Sequence, residues 1–119
     1  RYEQLEVWQK AMSLTEIVYR LSAEFPSEER FGLCSQIRRA AVSVPSNIAE
    51  GQGRLTTGEF RQFLAHARGS LFETETQLKL ACNLEYTDHA PTKNALALSS
   101  EIARMLNGLI SSLNKRTNG

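Results

Sequence analysis

The sequence predicts an all-α fold, an up-down-up-down antiparallel four-helix bundle, and three observations carry that prediction. Apolar residues recur at helical spacing in four segments. Proline and glycine punctuate the chain between those segments, at Pro26, at Gly51 and Gly53, and at Pro91. The connections left over are short, so consecutive helices are expected to be antiparallel neighbours. No run alternates apolar and polar residues at the strand period, and no repeat or low-complexity block breaks the pattern. At 119 residues the chain suits one domain, 1–119. Such a domain buries about two-thirds of the surface its unfolded chain exposes, which supports a core without disulfide or metal staples.

The first helix is expected over about 2–24. Leu5, Trp8 and Met12 adjoin a second line of Ala11, Leu14, Val18 and Leu21, and Pro26 closes the segment because the residue before proline avoids helical dihedrals. The second, about 28–51, starts after Ser27 as N-cap, with Glu28 and Glu29 at the positive end of the helix dipole. Its core line is Leu33, Ile37, Ala40/Ala41, Val44 and Ile48, and Gly51 and Gly53 read as its stop. Pro45 lies inside it and leaves the Ala41 carbonyl without a donor; the core line continues on both sides, so a kinked but continuous helix is expected, against a competing reading in which the helix ends near Val44 and restarts at Ser46. The third, about 57–84, opens on the capping-box pattern Thr56 to Glu59. The fourth, about 91–114, begins with Pro91 in its first turn and ends in a polar tail, NKRTNG, expected to fray.

Fourteen basic and 13 acidic residues leave a net charge of +1, so the total carries no strong attraction to nucleic acid. Cys34 and Cys82 sit in apolar helical contexts and read as small buried hydrophobes in a reducing compartment. No apolar run approaches the roughly 20 residues of a membrane span, and RYEQLEVWQK has no signal-peptide core. A cytoplasmic protein with no membrane partner is expected. Val42 and Ala49 fall almost opposite the core line of helix two, and this extra apolar surface predicts a homo-oligomer.

Polar residues also keep helical spacing. Gln36, Arg39, Ser43, Asn47 and Glu50 share one flank of helix two, and His66, Ser70, Glu73 and Gln77 share one of helix three. Folding the chain over near residue 56 sets Arg39 against Glu73, Ser43 against Gly69/Ser70, Gln36 against Thr76/Gln77 and Glu50 near Arg61 and Gln62. The expectation is a structural polar seam with an inter-helix Arg39–Glu73 pair. Arg38 turns away from helix three and is the arginine expected to remain free for a ligand.

Catalytic and metal patterns are sparse. Glu-x-x-His pairs, zinc-ligand spacing and a phosphate-cradling glycine loop are missing, so no metal and no cofactor is expected. Arg61 and His66 resemble the Arg-x4–6-His motif of HEPN ribonucleases, where the pair would handle the 2′-hydroxyl and the scissile phosphate. With ten arginines and two histidines, such a spacing arises by chance at roughly even odds. Arg38, Arg54, Arg61, Arg68 and Lys79, with Lys115 and Arg116 of the tail, are the candidate basic contacts to nucleic acid; an oligomer would multiply them.

The N-terminal L-x-x-W-x-x-A, the turn FPSEERFGL, the run QIRRAAVSVPSNIAEG and the stretch FRQFLAHARGSLFETET together resemble the S23 or 23S rRNA intervening-sequence protein family, from Leu5 to about Leu113. The resemblance implies a four-helix bundle that assembles as a homopentamer, with no established catalytic activity. Members of that family are encoded in insertions of bacterial large-subunit rRNA genes or elsewhere in bacterial genomes. A related group, the accessory variability proteins of diversity-generating retroelements, binds a reverse transcriptase and nucleic acid. The implied partners are therefore other copies of the chain and RNA or a nucleic-acid-processing protein. The accessory proteins are strongly basic, whereas this chain is nearly neutral. Arg39, Asn47, Glu50, Gly69, Ser70 and Glu73 fall on family-motif positions.

Overall fold

The computed structural model describes residues 1–118 and shows a four-helix bundle, α1 Glu6–Ser22, α2 Leu33–Gln52, α3 Thr57–Asn83 and α4 His89–Asn118. Each helix packs on two neighbours, α1 on α2 and α4, and α3 on α2 and α4. The body measures 50 × 24 × 21 Å. Its core is one continuous cluster along the axis, with Leu14 and Val18 of α1, Ile37 and Ile48 of α2, Leu64, Leu71 and Leu78 of α3, and Ile102 and Leu106 of α4.

Each helix boundary has a local cause. The first helix starts later than the periodicity implies: Tyr2–Gln4 form a single 3-10 turn, Leu5 is extended and α1 begins at Glu6. Val7 takes a core position that the apolar spacing did not single out, while Met12 stays 38% exposed. The second helix is also shorter. Ser27 opens a 3-10 turn rather than α2, and the chain turns again before Leu33. The cap of α2 is Glu29, whose Oε1 accepts from the Leu33 amide at 3.0 Å. That carboxylate lies four residues upstream, outside the usual N-cap spacing.

Helix α2 is continuous through Pro45, which is buried. The Ala41 carbonyl left without its helical donor lies 3.1 Å from the Thr15 hydroxyl of α1, which also reaches the Ala11 carbonyl at 2.8 Å. A buried acceptor without a donor costs about 1–3 kcal/mol, so a neighbouring hydroxyl makes the proline tolerable here.

Gly51 lies inside α2 rather than ending it. A Cβ there would sit 2.6 Å from Cβ of Phe63, so glycine permits the close approach of α2 and α3. Helix α3 starts as expected: the Thr56 hydroxyl accepts from the Glu59 amide at 3.1 Å and donates to its carboxylate at 3.0 Å. It ends without a glycine. Glu85 takes the left-handed conformation, φ 66, the Glu85 amide bonds the Cys82 carbonyl at 3.0 Å, and the Tyr86 amide bonds that of Ala81 at 2.8 Å. This is a Schellman ending with glutamate where glycine is the easy choice. Helix α4 begins two residues before Pro91 and continues through Asn118, so 115–118 are helical where fraying was expected. The end of the tail, Gly119, lies outside the described residues.

Candidate functional site

Two hollows meet at Arg39, on the side of the bundle where α2 has α1 on one flank and α3 on the other. The first, about 250 Å³, is the polar groove between α2 and α3, lined by Gln36, Arg39, Ser43, Ser70 and Glu73. At its floor the Ser43 and Ser70 hydroxyls are 2.8 Å apart. Asn47 donates to the Ser43 carbonyl at 2.8 Å and to its hydroxyl at 2.9 Å. Gln77 is buried one turn beyond Glu73, and its Oε1 has no hydrogen-bond partner among the described residues.

The expected Arg39–Glu73 pair does not form. Both side chains are exposed and line one groove, yet no ion pair joins them within 4.0 Å among the described residues. The reason is the closeness of the two helices. Where two serine hydroxyls touch across an interface, the longer side chains one turn away do not fit between the backbones and stand at the mouth. Glu50 also departs from expectation. It pairs with Arg54 at 2.7 Å, one turn along its own helix, rather than reaching Arg61 or Gln62.

The second hollow, about 570 Å³, lies over α1 and the start of α2 and is lined by Tyr19, Arg30, Phe31, Arg38, Arg39 and Val42. Arg38, expected to be free, is fastened. Its Nε donates to the Ser22 hydroxyl at 2.8 Å, its terminal amine to the Tyr19 carbonyl at 3.2 Å, and its guanidinium lies 4.6 Å from the Tyr19 ring centre. It thus closes the C-terminal end of α1, where a cation suits the negative pole. Arg39, the next residue, has no hydrogen bond, ion pair or ring contact among the described residues.

The other basic candidates do not form one patch. Arg54 bonds Glu50 and lies 4.6 Å over Phe63. Arg61 donates to Asn114 at 3.0 Å and Arg68 to Asn107 at 2.8 Å, both across the α3–α4 interface. Lys79 is exposed on the outer side of α3, and Lys115 and Arg116 are exposed near the end of α4. Arg61 and His66 are not brought together: Arg61 turns toward α4, whereas the His66 ring packs on Phe63 at 6.0 Å.

The α3–α4 rungs were not anticipated. Arg61–Asn114, Arg68–Asn107 and Glu75–Ser99 succeed one another by seven residues along α3 and by seven or eight back along α4. The signal is in the sequence as heptad spacing of Arg61, Arg68 and Glu75, matched in reverse on the last helix.

A further fastening closes the end of the bundle opposite the α2–α3 turn. The Tyr86 hydroxyl donates to Glu29 at 2.9 Å, and the two rings of Phe25 and Tyr86 lie 5.6 Å apart. The Leu33 amide and then the Tyr86 hydroxyl hold the Glu29 carboxyl below its ordinary value, and the same Glu29 contact, reinforced by burial, raises the Tyr86 phenol. Nearby, Cys82 Sγ lies 3.4 Å from His89 Nδ1 at the α3–α4 junction, a contact that sequence spacing did not suggest. Cys34 and Cys82 are both half-buried rather than core residues. No group of three or more histidine, cysteine and carboxylate ligands gathers among the described residues. Among those residues no helix is long and apolar enough to cross a membrane.

The family model for the 23S rRNA-intervening sequence protein matches residues 3–108. A solved structure from Bacteroides thetaiotaomicron, a protein with unknown function from the S23 ribosomal protein family, superposes with a TM-score of 0.81 at 26% identity, over 87% of this chain and 97% of that one. No curated protein matches the chain.

Proposed function

Because this chain belongs to the 23S rRNA-intervening sequence protein family, we propose that it is a non-enzymatic, self-associating helical scaffold that engages RNA in the cytoplasm. The observation that carries the reading is an unpartnered apolar face on α1 and α2. Trp8, Met12, Val42, Pro45 and Ala49 line a shallow groove of about 350 Å³ there. Met12 is 38% and Val42 39% exposed, on neighbouring helices whose other faces are already packed in the core. A monomer leaves this strip in water; a second copy removes it. The family resemblance supplies five as the expected number of copies.

The engagement of RNA draws its support from the family rather than from charge, since the net charge is +1 and four of the five basic candidates are tied to neighbouring side chains or rings. The test of the scaffold is the mass in solution. Light scattering at micromolar concentration should give five times the chain mass of 13.3 kDa, and Val42→Asp should reduce it while the helical signal is kept. A wild-type monomer at that concentration would end the scaffold reading.

A further inference from the structure

We propose that the hollow over α1 and the start of α2 is a nucleotide-binding subsite for a single strand, in which Phe31 and Tyr19 stack the base and Arg30 and Arg39 hold the flanking phosphate. This rests on the reading of the protein as RNA-associated and gives that reading a place on the surface.

The occupant follows from the chemistry of the walls. Three guanidinium groups, those of Arg30, Arg38 and Arg39, line the hollow, and no carboxylate among the described residues does. The site is locally cationic in a chain that is close to neutral overall, so it selects an anion. Arg38 is already held by Ser22 and Tyr19, which fixes the Tyr19 ring beneath a cation and leaves Arg30 and Arg39 to meet a ligand.

The anion should also carry a flat ring. Phe31 is 88% exposed and Tyr19 43% exposed, and both line the same hollow. The Arg30 guanidinium lies 5.3 Å from the Phe31 ring centre. An aromatic side chain so exposed gains little from its own fold beyond that contact, and it sits in a turn that the Glu29 cap holds in place. Aromatic platforms interleaved with arginines are the pattern that accepts single-stranded nucleic acid: the bases stack whatever their sequence, and the phosphates follow the cations. A hollow of about 570 Å³ is large enough for one nucleotide with its phosphate. An acidic, aromatic peptide offers similar groups, but a hollow of about 570 Å³ takes one ring with its anion, which a nucleotide supplies in a single residue and a peptide only across two or more.

The test is binding of fluorescent single-stranded RNA and DNA oligomers of about 12 nucleotides, with inorganic polyphosphate as competitor, to the full chain and two variants. Phe31→Ala should weaken binding by about tenfold or more, the size expected for a lost base stack. Arg39→Gln should weaken it and lower the slope of log affinity against log salt by about 0.7, the value for one lost single-strand phosphate contact. Lys93→Gln, exposed on α4, should bind as wild type. Both test residues are exposed, so circular dichroism should be unchanged. RNA and DNA oligomers that bind alike would support a stacked nucleotide with no sugar readout.

If the wild type binds neither oligomer, the RNA-engaging part of the function falls together with this site. If it binds RNA and both variants bind equally well, the site alone is wrong. If polyphosphate displaces RNA from wild type and Phe31→Ala equally, there is no stack. If Phe31→Ala changes the mass of the assembly but not the affinity for RNA, the hollow is a protein contact and the proposal is overturned.

Discussion

The α2–α3 and α3–α4 interfaces are both antiparallel and both carry polar groups, but they fasten differently. Between α2 and α3 the contacts are short: Gly51 against Phe63, and the Ser43 hydroxyl against that of Ser70. The long charged side chains, Arg39 and Glu73, are left outside, with no ion pair between them among the described residues. Between α3 and α4 the reach is long, with Arg61 and Arg68 extending to Asn114 and Asn107 and Glu75 to Ser99. The distance between backbones sorts the chemistry. Small residues bring two helices close and expel the charges, which become available to something else. Wider spacing lets long side chains bridge, and the charges are used up within the fold. A ligand-facing arginine is therefore more readily found beside the tight interface.

Breaking the tight interface should have the largest effect. Gly51→Ala places a methyl group 2.6 Å from Cβ of Phe63, and neither atom is the end of a flexible side chain. Overpacking costs about 1–3 kcal/mol, against roughly 1 kcal/mol gained by alanine in a helix. Two further contacts at 3.1 and 3.3 Å put the cost toward its upper end, and the expected result is a net loss of up to about 2 kcal/mol, read as a lower urea midpoint. An unchanged midpoint would mean the two helices are not held this close.

Two double-mutant cycles then compare what lies inside the interface with what lies at its mouth. Ser43→Ala with Ser70→Ala should show a coupling of about 0.5–1.5 kcal/mol, the net value of one hydrogen bond. Arg39→Met with Glu73→Leu should be additive within about 0.5 kcal/mol. A coupling of equal size in the second cycle would restore the ion pair that the structure does not contain.

The register of α2 on α3 could be read from the sequence, because polar residues repeated at helical spacing on both helices and the turn between them was short. The fate of the charges could not. Wheel geometry gives a direction but not the separation of the axes, and separation decided Arg39 and Glu73. Arg38 departs from expectation for a related reason. A helix in a bundle has two neighbours, so turning away from α3 meant turning toward the end of α1. Pro45 interrupts the ladder without ending the helix, as the core line on both sides of it implies, but the Thr15 hydroxyl beneath its orphaned carbonyl is a long-range contact that only packing reveals. Glu29 and Glu85 are not legible by residue type, because glutamate does a job usually given to other residues, a cap in one case and a left-handed turn in the other.

Gly69 provides the converse of Gly51. It lies within α3 beside Ser70, and a Cβ there would meet nothing within 4 Å. Gly69→Ala should stabilise the isolated chain by about 0.5–1 kcal/mol, through helix propensity and a less disordered unfolded state. If the substitution stabilises the dilute chain but weakens the assembly, a partner's backbone approaches at that glycine. If it destabilises even the dilute chain, the open space is not real.

The smallest effect is at the far end of the same tight interface, where Glu29 and Tyr86 link the segment before α2 to the segment after α3. Glu29 has its carboxyl pKa lowered from 4.5 by the Leu33 amide and Tyr86. Its contribution is therefore full above 4.5 and is lost as pH falls through the lower folded value. The Tyr86 phenol is raised from 10.0, so its contribution is full below 10.0 and is lost as pH rises through the higher folded value. The difference in Tm between wild type and Tyr86→Phe should accordingly form a plateau between 4.5 and 10.0 and shrink beyond both edges. Glu29→Gln should keep a weaker cap on Leu33 through its amide oxygen and lose the acid edge of that plateau. A wild-type to Tyr86→Phe difference that stays flat beyond both edges would mean that this contact closes the interface by ring packing on Phe25 alone, and that the tight interface ends without a charged fastening.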